Sequence, residues 1–114
     1  MRIGFLTACL PNISLEKLVE WASAQGFKTL ELAAWPFESD RDYQARQIDA
    51  AKFTKDDAKR VNELFSKNKM QISAMAFYEN NIHPDLTKRN YYLNHLKKVI
   101  DTASLLDVKL VGTF

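Results

Sequence analysis

The sequence predicts an α/β fold in which parallel strands alternate with covering helices. Three observations carry that expectation. The apolar period switches repeatedly between strand-like runs and helix-like spacing. Each of the first three predicted strands is followed by a helix-length crossover, which returns the chain to the same end of a sheet and makes neighbouring strands parallel. Strand starts fall near residues 2, 28, 70 and 108, a spacing at which eight units would fill a chain of about 250 residues, the usual size of a closed barrel. The expected architecture is therefore the N-terminal half of a (β/α)8 barrel in the order β-α-β-α-β-α-β. The predicted domain covers residues 1–114 and is truncated after the fourth strand.

Ile3 to Ala8 is a short, nearly all-apolar run, as expected of a strand covered on both faces. Ser14 is placed to cap a helix whose inner face carries Leu15, Leu18, Val19 and Ala22, and Gly26 stands where a left-handed helix terminus is wanted. A second strand, Thr29 to Ala33, ends at Trp35-Pro36. From Phe37 to Phe53 the chain is polar and aperiodic, a long loop, and its charged part from Glu38 to Arg46 is a candidate lid.

Thr54 and Asp57 have capping-box spacing ahead of a helix that turns Ala58, Val61, Leu64 and Phe65 inward. The third strand runs from about Gln71 to Tyr78. After the loop Glu79 to Asp85, a long helix presents Leu96, Val99, Ile100 and Ala103 at helical spacing. Val108 to Thr113 is the fourth strand.

Composition narrows the function classes. The chain has 114 residues, 46% hydrophobic and 26% charged, with a formal net charge of +2 and scattered basic residues, which argues against a nucleic-acid partner. No run approaches the roughly 18 apolar residues of a membrane span. Cys9 is the sole cysteine, which excludes an intrachain disulfide and favours a cytoplasmic setting; it reads as a small buried hydrophobe rather than a nucleophile. A doubly wound nucleotide-binding sheet would need a glycine-rich turn after its first strand, and Thr7 to Asn12 contains no glycine.

In a barrel the functional residues stand at the C-terminal ends of the strands. Glu31 alternates with Leu30 and Leu32. If the leucines meet helices, Glu31 faces the lumen, where it serves either a substrate or a structural pair with a cation from another strand. Trp35 and Tyr78 at strand ends offer flat faces to a sugar or cover the rim of the core. Asn81 can bond a hydroxyl or support its own turn. His83 can contact a hydroxyl or a metal, or stabilise its loop. These five are the candidate substrate-binding residues; no catalytic or metal-ligating residue is assigned. His95, between Asn94 and Lys97, reads as solvent-facing and is given no role.

Several segments together resemble one group. They are Met1 to Phe5, Gly26 to Leu32, Ala74 to Tyr78 leading to Asn81-Ile82-His83-Pro84-Asp85, Leu93 to Ala103, and Leu106 to Val108 with Val111 to Phe114. The set is similar to the sugar phosphate isomerase/epimerase group of the xylose isomerase-like barrel superfamily. That resemblance implies a divalent-metal enzyme (Mn, Mg, Co or Zn) acting on a sugar, a sugar phosphate or a cyclitol. It also implies metal ligands on later strands, so no metal is expected to bind well to this stretch alone. Two alternatives stay open. One is the same half of an endonuclease-like phosphodiesterase, which would need basic residues around the barrel mouth. The other is a non-catalytic half barrel that self-associates as a homo-oligomer or pairs with a C-terminal half.

Overall fold

The structure, a computed structural model, describes residues 1–37 and 47–114. The candidate lid, Glu38 to Arg46, lies outside the described residues. Four strands form one parallel sheet in the order β1 (Gly4–Leu6), β2 (Thr29–Ala33), β3 (Gln71–Ala76) and β4 (Val111–Gly112). Helices α1 (Leu15–Ala24), α2 (Lys55–Lys67) and α3 (Leu86–Leu105) make the crossovers, and a 3₁₀ turn at Thr7–Cys9 follows β1. No helix among the described residues is long and apolar enough to cross a membrane.

Helix starts follow their caps. The Ser14 and Thr54 side chains accept the backbone N–H groups of Lys17 and Asp57, and the Asp57 carboxylate returns the bond to Thr54 N. Those bonds to Thr54 hold the Asp57 carboxyl below its ordinary range. Asp85 caps α3 through the N–H groups of Lys88 and Thr87, and its carboxyl is lowered for that reason.

All three helices end the same way. Phe27 N bonds Ala22 O, Met70 N bonds Phe65 O and Val108 N bonds Ala103 O, at 3.0, 2.9 and 2.8 Å. This six-to-one bond closes over a left-handed residue, Gly26 (φ 91°), Lys69 (φ 54°) or Asp107 (φ 57°). The apolar residue after each turn packs into or against the core and leads into the next strand.

The core lies between the sheet and the helices. Leu18, Val19, Ala22, Leu30, Leu32, Met75, Phe77 and Val99 are fully enclosed. The alternation in β2 is as expected: Leu30 and Leu32 join this core, while Glu31 between them is only half-buried. Opposite it, β3 carries an extra residue, since Leu30 pairs Ile72 but Glu31 pairs Ala74, leaving Ser73 without a register partner. Bulges of this kind re-aim side chains near functional sites.

Four expectations are corrected. β1 is shorter than Ile3–Ala8 and is not covered on both faces; it is an edge strand paired only with β2, and Ile3 is 55% exposed. Cys9 is exposed, because the turn after β1 swings it outward while Ala8 enters the core. On α3 the buried stripe is His95, Val99, Thr102, Ala103 and Leu106, with Ile100 half-exposed at 50%. Polar residues can occupy that stripe because each is hydrogen-bonded: Thr102 Oγ1 donates to Lys98 O at 2.9 Å, and His95 Nε2 bonds Ala34 O at 2.7 Å. The solvent-facing reading of His95 fails for the same reason.

Candidate functional site

The C-terminal ends of the four strands gather Thr7, Glu31, Trp35, Tyr78 and Gly112 on one rim. Tyr78 donates its hydroxyl proton to Glu31 Oε1 at 2.5 Å, joining the second strand to the end of the third. This bond to the carboxylate, followed by partial burial, raises the phenol above its ordinary value of 10.0. Tyr78 is therefore a protonated donor throughout the neutral range.

Gly112 permits this contact. A Cβ there would fall onto the Tyr78 hydroxyl, 2.7 Å from its Cζ and 2.9 Å from Glu31 Oε1. Only a residue without a side chain lets the phenol lie across β4 and reach the carboxylate.

Trp35 stands beside this pair. Its indole N–H donates to Glu79 Oε1 at 3.1 Å, and its ring lies 6.2 Å from Tyr78 at a 48° tilt. The ring centres of Phe114 and Tyr78 are 5.3 Å apart. Trp35 is only 5% exposed and belongs to the core, so it covers the rim of the core, and the half-buried Tyr78 is the strand-end aromatic left beside the Glu31 carboxylate.

Asn81 and His83 are positioned differently. Asn81 is 9% exposed, and its Nδ2 donates to Thr113 Oγ1 at 2.5 Å and Phe114 O at 3.1 Å, so the amide clasps the segment after β4. Its Oδ1 is buried without a partner among the described residues. His83 Nδ1 accepts the Asp85 N–H at 3.0 Å, which ties the imidazole to the start of α3. The structure brings Glu31, Tyr78 and Trp35 together and sets Asn81 and His83 in supporting loop contacts.

A second network braces the rim from the β1 side. The buried Thr7 hydroxyl accepts Ala33 N at 2.9 Å and donates to Gln47 Oε1 at 2.9 Å. Gln47 Nε2 then reaches Thr7 O and Leu10 O at 3.3 and 3.1 Å. Sequence reasoning missed Thr7, Gln47, Glu79, Gly112 and Phe114. Of these only Gly112 carried a signal, as a glycine at the end of a strand otherwise made of larger residues.

No family profile and no curated protein sequence matches the chain. Among solved structures it is similar to D-psicose 3-epimerase from Clostridium cellulolyticum H10, described with D-tagatose, at a TM-score of 0.70 and 18% identity. That match covers 99% of this chain and 37% of the epimerase. The fold is half a barrel. Its strand order and direction are those of the N-terminal half of a (β/α)8 barrel, as the sequence pattern predicts.

Proposed function

We propose that this chain supplies the substrate-facing first half of a sugar isomerase or epimerase of the xylose isomerase-like kind. The observation that carries this reading is the Glu31–Tyr78 bond at the strand ends, with the buried Trp35 ring against Tyr78. A sugar presents C–H-rich faces and hydroxyl donors. The half-buried Tyr78 ring, backed by the buried Trp35, suits the former, and a carboxylate whose Oε1 already holds a phenol offers Oε2 to the latter. Tyr78 keeps Glu31 oriented and stays protonated, so the pair binds and orients rather than moves a proton.

The proposed ligand is a sugar, a sugar phosphate or a cyclitol, in a cytoplasmic enzyme. A divalent ion would supply carbonyl or hydroxyl polarisation in the full enzyme. Among the described residues no three His, Cys, Asp or Glu side chains lie close enough to hold one. The described donor set does not fit a complete metal site. The phosphodiesterase alternative would want cations on this rim. The described rim carries Glu31 and Glu79, while Arg2, Lys28 and Lys69 line a hollow of about 370 Å³ that Gln71, the first residue of β3, also lines, at the far end of that strand.

Tryptophan fluorescence titration with D-tagatose tests the reading. Saturable binding in the millimolar range is expected, corresponding to roughly 4 kcal/mol. Glu31→Gln should weaken it by about tenfold with the far-UV circular dichroism unchanged. Absence of saturable quenching, or an unaltered Glu31→Gln isotherm, would remove the support.

A further inference from the structure

We infer that His95, on the outer helix α3, is a positioning residue for the aromatic rim: it sets Trp35 by gripping the peptide that leads into it. The effect on sugar binding, through the buried Trp35 ring that backs Tyr78, rests on the function proposed above; the coupling of His95 to Trp35 does not.

The geometry is continuous from helix to rim. His95 Nε2 lies 2.7 Å from the carbonyl oxygen of Ala34, a partner 61 residues distant in the chain. A carbonyl only accepts, so Nε2 carries the proton and donates it. That carbonyl belongs to the peptide plane joining Ala34 to Trp35, so holding it fixes the direction in which Trp35 leaves the strand. On the other side of the same residue, Ala34 N donates to Ala76 O at 3.0 Å. Ala34 is therefore held from both sides, by the sheet and by the helix.

The surroundings leave little freedom. Ala34 is fully buried and His95 is 6% exposed, so no bulk water replaces the imidazole if it is removed. Phe77 is fully buried, with its ring 4.8 Å from His95 and 6.2 Å from Trp35. It forms a packed wedge between the two, so the imidazole meets the tryptophan both through the backbone and through a shared neighbour. Beyond this junction Trp35 reaches Glu79 and lies against Tyr78. A displaced Ala34 peptide would tilt the indole away from that arrangement.

Two carboxamides of matched polarity separate positioning from packing. The amide nitrogen of glutamine extends about as far as an imidazole Nε2, whereas that of asparagine stops near Nδ1. His95→Gln and His95→Asn would be compared in a Trp21→Phe background, which leaves Trp35 as the sole tryptophan. The readouts are Trp35 emission and acrylamide quenching without ligand, and D-tagatose titration with it.

The expected result is that His95→Gln keeps the parent spectrum and affinity. His95→Asn should shift emission to the red, increase quenching and weaken D-tagatose roughly tenfold, with helical circular dichroism retained. Identical Trp35 spectra in the parent and both variants overturn the inference. Loss of the helical signal in both also overturns it, by making His95 a residue that holds the fold rather than one that positions Trp35. Should the parent bind no D-tagatose, the proposed function fails, and the spectra alone still decide whether His95 sets Trp35.

Discussion

The two ends of this sheet are built on opposite plans. At the N-terminal ends of the strands, three helix-to-strand turns repeat one geometry, each closed by the same six-to-one bond over a left-handed residue. At the C-terminal ends no two connections are alike. β1 runs into a 3₁₀ turn, β2 into a segment whose Gln47 grips that turn, and β3 into a loop that ends on the Asp85 cap. The repeated turns use backbone hydrogen bonds and tolerate Gly, Lys or Asp at the key position. The rim uses side chains that are not interchangeable. In a barrel, the end assembled from backbone serves stability and the end assembled from particular side chains carries function.

Gly112→Ala gives the largest expected break in this contrast. The new methyl would occupy the position of the Tyr78 hydroxyl, so either the phenol leaves Glu31 or β4 shifts. Overpacking at a site of this kind costs about 1–3 kcal/mol, and D-tagatose binding should fall by tenfold or more. With the Glu31 bond lost, the Tyr78 phenol should titrate nearer its ordinary value of 10.0, visible as an earlier rise in ultraviolet absorbance at alkaline pH. An unchanged tyrosine titration would show that the rim is as tolerant as the turns.

Legibility in the sequence follows the same division. Local chemistry announced the frame: Ser14, Thr54 and Gly26 mark helix limits through bonds to residues three to five away, and Leu30-Glu31-Leu32 reveals its faces by alternation alone. The rim depends on meetings that no local pattern encodes. Glu31 and Tyr78 are 47 residues apart, and Thr7 and Gln47 are 40 apart. His95 was hidden because a histidine among Asn94, Leu96 and Lys97 looks like a solvent face until the carbonyl that satisfies it is known. Ile100 was misplaced for a related reason: apolar spacing alone put the α3 stripe about one residue out of register.

The pH dependence of stability should trace the link between helix and rim. Burial pushes the His95 pKa below its ordinary 6.5, opposed by the bond to Ala34; Lys98 on the same helix lowers it further and Asp49 on the loop after β2 raises it. The unfolded chain then takes up a proton before the folded one does. Stability from this group is fully present above about pH 6.5 and declines as pH falls from there through the lowered folded value. The lowered Asp57 and Asp85 carboxyls act in a separate window, losing their contribution only as pH drops below 3.8. Urea midpoints between pH 8 and 5 should fall for the parent chain and flatten for His95→Gln, which has no titrating group there. Parallel curves for the two proteins would count against a buried neutral imidazole.

The smallest expected effect sharpens the contrast from the other end. Lys69 holds φ 54° at the end of α2, where α1 uses Gly26. A residue with a Cβ in that region is strained by about 1–2 kcal/mol, while glycine raises the entropy of the unfolded chain by an amount worth about 0.4–1 kcal/mol. The difference predicts that Lys69→Gly stabilises the fold by about 0.5 kcal/mol. Asp107→Gly should gain less, because an aspartate tolerates the left-handed region better than a lysine. Neither change should alter D-tagatose binding, since Met70 and Val108 lead from these turns into strands whose proposed site side chains stand at the far end. Chemical denaturation beside a sugar titration checks both halves of the statement. If Lys69→Gly altered affinity while leaving stability untouched, the turns would belong to the site, and the separation of the two ends would be wrong.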